Sequence, residues 1–387
     1  MSVDRLEAAI ALMQRLVAFD TESSKSNLAL IAFVEDYLRE RDVPFVIAPN
    51  DVGDKAALFV TIGPIQDGGV VLSGHTDVVP VAGQTWTSHP FTLRREGGRL
   101  YGRGACDMKG FDAIAVSMID EFKRANLKRP IHILLSYDEE TTCLGPLDTI
   151  ARFGKDLPRP GAVLVGEPTM MRVADAHKSI STYMTRVRGH EAHSSNPASG
   201  VNAIEVAVDL VGELYRFAET LANEGDPSKR FIPGASTLSV GVMQGGTARN
   251  ILAKDCWFHW EFRGLPGVAP DRALRHLESY IAARVMPKYA DRAFAPVIET
   301  TTEVEVPGLA PAPGSPAEQL AFKLAKANDT IAVSYATEGG RFQIAGIPTV
   351  VCGPGSIDQA HQPDEYIDEE QVAAGIEFMR ALAREMS

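Results

Sequence analysis

The chain predicts an α/β protein: a mostly parallel sheet flanked by helices, interrupted by an inserted α+β part. Three observations carry that expectation. Short apolar runs rich in β-branched residues alternate with helix-periodic stretches as far as residue 166, the rhythm of a parallel sheet covered on both faces. From residue 181 the pattern becomes polar/apolar alternation, typical of strands with one wet face. After residue 292 the first texture returns.

Element by element, residues 3–18 place Leu6, Ile10, Met13 and Val17 at helical spacing, and residues 27–40 do so with Ile31, Val34 and Leu38. GGVVLSGH (68–75) reads as a buried strand, and a helix follows from 109 with Ile114, Met118 and Phe122 on one face. IHILLSY (131–137) and AVLVG (162–166) are further buried strands. STYMTRVRG (181–189) alternates, and residues 201–222 form an amphipathic helix whose apolar stripe reads as Ile204, Val208, Val211, Tyr215 and Ala218. STLSVGVMQG (236–245), DCWFHWEFRG (255–264) and a helix at 270–284 complete a split βαβ, ferredoxin-like pattern. IPTVVCG (347–353) and a helix from 369 close the chain. The expected division is 1–180 and 293–387 for one domain, with 181–292 inserted.

Composition narrows the function. The 387 residues are 45% hydrophobic and carry a net charge of −12 with no run of Lys or Arg, which disfavours nucleic acid and anionic lipid as partners. No apolar stretch approaches the ~20 residues of a membrane span, and Asp4, Arg5 and Glu7 interrupt any signal-peptide pattern. A soluble, acidic, cytoplasmic protein of enzyme size is the expectation. Cys106, Cys143, Cys256 and Cys352 lack metal-type spacing.

The chemistry concentrates at strand ends. His75 and Asp77 follow one apolar run, and a spacing of two in extended chain points both side chains the same way. Asp138, Glu139 and Glu140 follow ILLSY, Glu167 follows AVLVG, and His361 lies just beyond TVVCG. In an open α/β sheet, ligands gather outside the carboxyl ends of the strands. A fifth segment, YGRGACDMKG (101–110), offers Asp107 in a Gly-rich turn. Imidazoles with carboxylates suit zinc and its first-row neighbours. Five such groups exceed one tetrahedral ion and match two ions ~3.5–4 Å apart if a carboxylate bridges. Asp107 is the natural bridge, with Glu140 a ligand and Glu139 left as general base. YGRGACDMKG lacks the spacing of a nucleotide-binding loop. His89, His132, His259 and His276 read as structural or surface residues, His177 and His190 are open, and Asp112 reads as a helix-surface charge.

In this order SGHTDVVP, YGRGACDMKGF, SYDEE, VGEPT, AHKS, RGHEAHSS, TARN and AHQPDEY resemble the metal-dependent aminoacylase and carboxypeptidase family, the peptidase M20 group. The resemblance implies a zinc-exopeptidase-like catalytic domain, two divalent metal ions (zinc, with cobalt possible) and hydrolysis of the amide bond of an N-acylated amino acid. It assigns His75, Asp107 and Glu167 to one ion and Asp107, Glu140 and His361 to the other. Asp77 would orient His75, and Glu139 would act as general base. It further implies a homodimer paired through the inserted domain. There His193 would reach the partner's active site to steady the oxyanion, and Asn250 and Arg263 would hold substrate. A carboxypeptidase or dipeptidase, or a non-catalytic dimeric module with structural metals, are the competing readings.

Overall fold

A computed structural model describes residues 3–387. Along the chain, α1 (Val3–Val17) and α2 (Leu28–Arg39) precede β1 (Phe45–Pro49), β2 (Ala56–Ile62) and β3 (Val70–His75). Short strands β4 (Arg94–Glu96) and β5 (Arg99–Tyr101) lead to α3 (Lys109–Ser117) and α4 (Ile119–Arg124). Then come β6 (Ile131–Ser136), α5 (Leu147–Arg152), β7 (Ala162–Pro168) and β8 (Ala174–His177). The next stretch holds β9 (Ile180–Arg188), α6 (Ala203–Glu224), β10 (Thr237–Gly245), β11 (Asp255–Arg263), α7 (Arg272–Tyr280) and β12 (Val297–Val306). The chain ends with α8 (Pro316–Ala325), β13 (Ile331–Val333), α9 (Gly339–Ile344), β14 (Thr349–Gly353), β15 (Tyr366–Asp368) and α10 (Glu369–Met386).

Two compact units result. The first comprises residues 3–176, 311–331 and 337–387; the second, 177–310 and 332–336. The large sheet runs β1-β2-β6-β3-β7-β14-β8-β13. Its centre, β6-β3-β7-β14, is parallel, and β2 and β1 extend it antiparallel. Every residue of β2, β3, β6, β7 and β14 is buried, which is why these strands read as continuous apolar runs rather than alternating ones. The helical stretch expected from 109 breaks at Met118 into α3 and α4. All nine residues of α3 are buried, so Asp112 is not a surface charge.

The second unit has its own antiparallel sheet, β10-β11-β9-β12, and its own core. Here β12 departs from the boundary drawn at 292, because it pairs along its length with β9 and so carries the second unit on to Ala310. With β12 the order becomes β-α-β-β-α-β, the full ferredoxin-like arrangement. Burial alternates strictly along β9 and β11. The helix α6 is turned partly away from its expected face: Ala203, Val206, Ala207, Leu210, Leu214, Phe217 and Leu221 are buried, Ile204, Val211 and Ala218 pack half-buried against them, and Val208 and Tyr215 are exposed. It carries two apolar stripes, and the one richer in Leu meets the core, each buried Leu contributing about 1.5–3 kcal/mol. Asn202 caps α6 by accepting from the Ile204 N–H. Among the described residues no helix is long and apolar enough to cross a membrane.

Candidate metal centre

All four parallel strands of the large sheet end at the same edge, and each delivers part of the cluster. His75 is the last residue of β3, Glu139 and Glu140 follow β6 by three and four residues, Glu167 is the penultimate residue of β7, and His361 lies beyond β14. Asp107 stands two residues before α3, which packs on β3.

The central group is Asp107. Its Oδ1 lies 3.1 Å from His75 Nε2 and its Oδ2 lies 3.3 Å from His361 Nε2. One carboxylate thus faces an imidazole with each oxygen, the disposition a bridge requires. His75 Nε2 is also 3.5 Å from Glu167 Oε1 and 3.9 Å from Glu139 Oε2, and His361 Nε2 is 2.9 Å from Glu140 Oε2. Two sets have ligand atoms all within 4.8 Å of one another: His75 with Glu139 and Glu167, and His75 with Asp107 and Glu140. Both share His75, and the first includes Glu139, the residue expected to stay free as base.

The electrostatics suit bound cations. His75 is fully buried, Asp107 and Glu167 nearly so, and Glu140 Oε1 and Glu167 Oε1 are buried without a hydrogen-bond partner. Burial, reinforced by the charge of Asp107, pushes the Glu140 and Glu167 carboxyls up; burial, reinforced by Glu167, does the same to Glu139. Burial alone would depress His75, yet the carboxylates of Asp107, Asp77 and Glu167 around it raise it well above the usual imidazole range. Orphaned carboxylate oxygens beside imidazoles are a donor set that divalent cations of the zinc type fit.

Asp77 has further partners besides His75. His75 Nδ1 lies 3.0 Å from the Asp77 backbone carbonyl but 3.5 Å from its carboxylate. The carboxylate accepts from Ser23 Oγ (2.7 Å) and from the Glu139 and Glu140 backbone N–H groups (3.1 and 3.3 Å). It fastens the turn bearing both glutamates as well as standing behind His75.

Residues that the sequence reading passed over surround the cluster. Glu338, in TEGGRF, is buried and accepts from Ser73 Oγ and from Ser136 Oγ (2.7 Å), tying the ends of β3 and β6 together. Asp112 is buried against Gly74 with neither oxygen hydrogen-bonded, and burial drives its carboxyl well up. Their signal was a carboxylate within or beside a motif already singled out. Cys106 is buried, and burial pushes its thiol up, as for a small apolar side chain.

In the second unit, His193 is exposed with Nδ1 2.7 Å from Ser195 Oγ. A bridge between His193 and Ile251, and a bond from Ser194 N–H to the Asn250 carbonyl (3.0 Å), bring His193 and Asn250 side by side. Arg263 ends β11, a third exposed, its guanidinium 3.1 Å from Glu261. His177 is wholly buried, its Nδ1 3.0 Å from the Lys178 carbonyl.

The chain belongs to the peptidase family M20/M25/M40, whose pattern matches residues 71–385. Fold and site together define it as a metal-dependent amidohydrolase of that family. It is 35% identical, over 355 residues, to the acetylornithine deacetylase of Klebsiella pneumoniae (strain 342), covering 89% of this chain and 87% of that protein. Among solved structures it superposes on the aminopeptidase PepT of Bacillus cereus (TM-score 0.73, 19% identity, 98% of each chain). It also superposes on a dinuclear metal-binding M20 peptidase of Bacillus subtilis (TM-score 0.66, 15% identity, 99% of each chain). At those identities the likeness shows the fold.

Proposed function

We propose that the protein removes the acetyl group from N2-acetyl-L-ornithine, giving L-ornithine and acetate, with two divalent cations, zinc or cobalt, held by His75, Asp107, Glu140, Glu167 and His361. The observation that carries this is Asp107 facing His75 with one oxygen and His361 with the other. The 35% identity to an acetylornithine deacetylase supports the choice of substrate. When bound, such a cation pair supplies Lewis acidity that polarises a carbonyl and acidifies water.

The chain's own groups do the rest. Glu139, whose carboxyl burial pushes well up, is suited to take a proton from water and return it to the departing α-amine. Asp77 holds Glu139 and Glu140 through their backbone N–H groups. In the second unit, His193 donates to the oxyanion developing in the partner subunit's active site, Asn250 holds substrate, and Arg263 exchanges Glu261 for the substrate α-carboxylate, to which a guanidinium binds bidentately. The second unit also pairs two subunits into a homodimer, for which the exposed Val208 and Tyr215 of α6 are a suitable apolar face. The enzyme works in the cytoplasm, in arginine biosynthesis.

The test is release of free α-amine from N2-acetyl-L-ornithine, with and without chelator, then with zinc or cobalt restored. Activity should vanish with chelation and return with metal. A panel containing N-succinyl-diaminopimelate, acetylcitrulline and dipeptides decides the substrate. Faster hydrolysis of any of these than of acetylornithine would move the assignment to that class, and two tightly held metals with no turnover on any would make them structural.

A further inference from the structure

His361 differs from the other groups of the cluster. Its side chain is half exposed and its backbone sits at φ +62° in a turn, whereas His75 and Glu167 are held by buried strands. Asp107 likewise lies in irregular chain before α3. Some other part of the protein must hold these two residues at a fixed separation.

A chain of polar groups, buried at Arg103 and Glu365, runs from one to the other. The Glu365 carboxylate accepts at Oε1 from the backbone N–H of Cys106 (2.9 Å) and of Asp107 itself (3.1 Å). Its Oε2 accepts from Arg103 Nη1 at 2.6 Å, and neither partner of this ion pair is more than 1% exposed. Arg103 Nη2 donates to Gln84 Oε1 (2.6 Å), which also receives Trp86 Nε1 (3.1 Å). With its oxygen taken by two donors, the amide must present its nitrogen on the other side, and Gln84 Nε2 donates to the carbonyl of His361 itself (2.8 Å). The Trp86 ring lies 5.1 Å under the Arg103 guanidinium. Thr87 adds two bonds, from its N–H and hydroxyl, to Asp364 Oδ1 (3.0 and 2.9 Å).

The two ends of this chain are the peptide groups of the two residues whose side chains meet at Asp107 Oδ2 and His361 Nε2. We propose that Gln84, Arg103 and Glu365 form a positioning clamp that sets the separation of Asp107 from His361, and so the affinity of the cation position these two share with Glu140. The clamp rests on the two-cation reading above. None of its three members touches the reacting groups. They act by fixing main chain, and charge-assisted bonds on a carboxylate that also accepts two N–H groups give little latitude. Metal ligands must be held to within about 0.5 Å to bind well.

Removing either partner of a buried ion pair strands the other, so Glu365→Gln and Arg103→Met risk unfolding. Gln84 is only partly buried, and Gln84→Met keeps its length while breaking the link to His361. The experiment is calorimetric titration of metal-stripped full-length protein with Zn²⁺, repeated with Co²⁺ while recording the visible spectrum, alongside the unfolding midpoint of the metal-free form. In Gln84→Met one of two equivalents should weaken about 10–100-fold, the size of effect seen when a ligand's outer hydrogen bond is lost. The other equivalent and the metal-free midpoint should stay near wild type, and the cobalt spectrum should change for the weakened site alone. Glu365→Gln, if folded, should weaken the same equivalent, and the double variant should lose no more than the worse single one. Two wild-type-like equivalents in Gln84→Met overturn the clamp, as does a loss shared equally by both equivalents. A wild-type protein that takes up fewer than two equivalents overturns the two-cation reading and the clamp with it.

Discussion

Two histidines on neighbouring strands meet opposite fates. His75 ends β3 and His132 lies near the start of β6, strands paired in parallel so that Val71 faces His132 and His75 faces Ser136. Both are completely buried. At the carboxyl edge, His75 meets Asp107, Asp77 and Glu167, and these outweigh desolvation to raise its pKa. At the amino edge, His132 stacks on Phe59 at 4.8 Å, has Thr61 Oγ1 beside Nδ1 and leaves Nε2 without a partner. There burial dominates and lowers its pKa to about 4. Burial alone therefore says nothing about function; the partners admitted with the ring decide the sign. The carboxyl edge, where successive strands diverge into loops, can collect such partners from distant segments.

The widest separation between the edges should come from Glu139→Ala. Turnover should fall about 10²–10⁴-fold, the usual contribution of a general base, while metal content measured by elemental analysis stays at two per chain. If the variant instead lost metal, Glu139 would be a ligand in company with His75 and Glu167, the set that the geometry also permits.

The amino edge makes its own prediction. Above pH 6.5, the ordinary imidazole value, His132 is neutral folded or unfolded and costs nothing. As pH falls toward about 4 the unfolded chain takes up a proton that the folded one refuses, so stability drops. At 1.36 kcal/mol per pKa unit the loss is about 3 kcal/mol over that window. His132→Phe, which keeps the stack on Phe59, should flatten the slope of unfolding free energy against pH between 6.5 and 4. An unchanged slope would mean that burial does not hold the His132 pKa below its ordinary value.

The smallest effect concerns space. A methyl on Gly166, just before Glu167, would lie 2.2–2.4 Å from the buried Phe111 ring. Gly166→Ala should cost about 1–3 kcal/mol by denaturant unfolding, the range for overpacking a core. A loss well below that would show that the ring can shift.

The legible part of the site consisted of residues next to strands. His75, Asp77, Glu139, Glu140 and Glu167 could be found because a buried parallel strand announces itself as an apolar run, and its last residues then point to one edge. Gln84, Arg103, Glu338 and Glu365 were not legible as a group. Glu338 is 265 residues from Ser73, and Glu365 is 262 from Arg103, and no local pattern reports a contact across such a distance. Asp112 failed for a related reason: three and five residues past Lys109 and Asp107, it resembles an exposed first-turn acid until α3 packs on β3 and buries it against Gly74. On α6, two apolar stripes competed, and helical period cannot say which will meet a sheet not yet formed.

By itself the sequence determined the kinds of strand, the residues at their ends and hence the donor chemistry, because periodicity and strand termini are properties of a few adjacent residues. Only the tertiary structure decided that Asp107 turns one oxygen to each imidazole, that Asp77 grips the backbone of two glutamates, and that β12 joins the second sheet. Those outcomes depend on main-chain hydrogen bonds and burial shared between segments far apart along the chain, and they exist only once packing has removed water from between them.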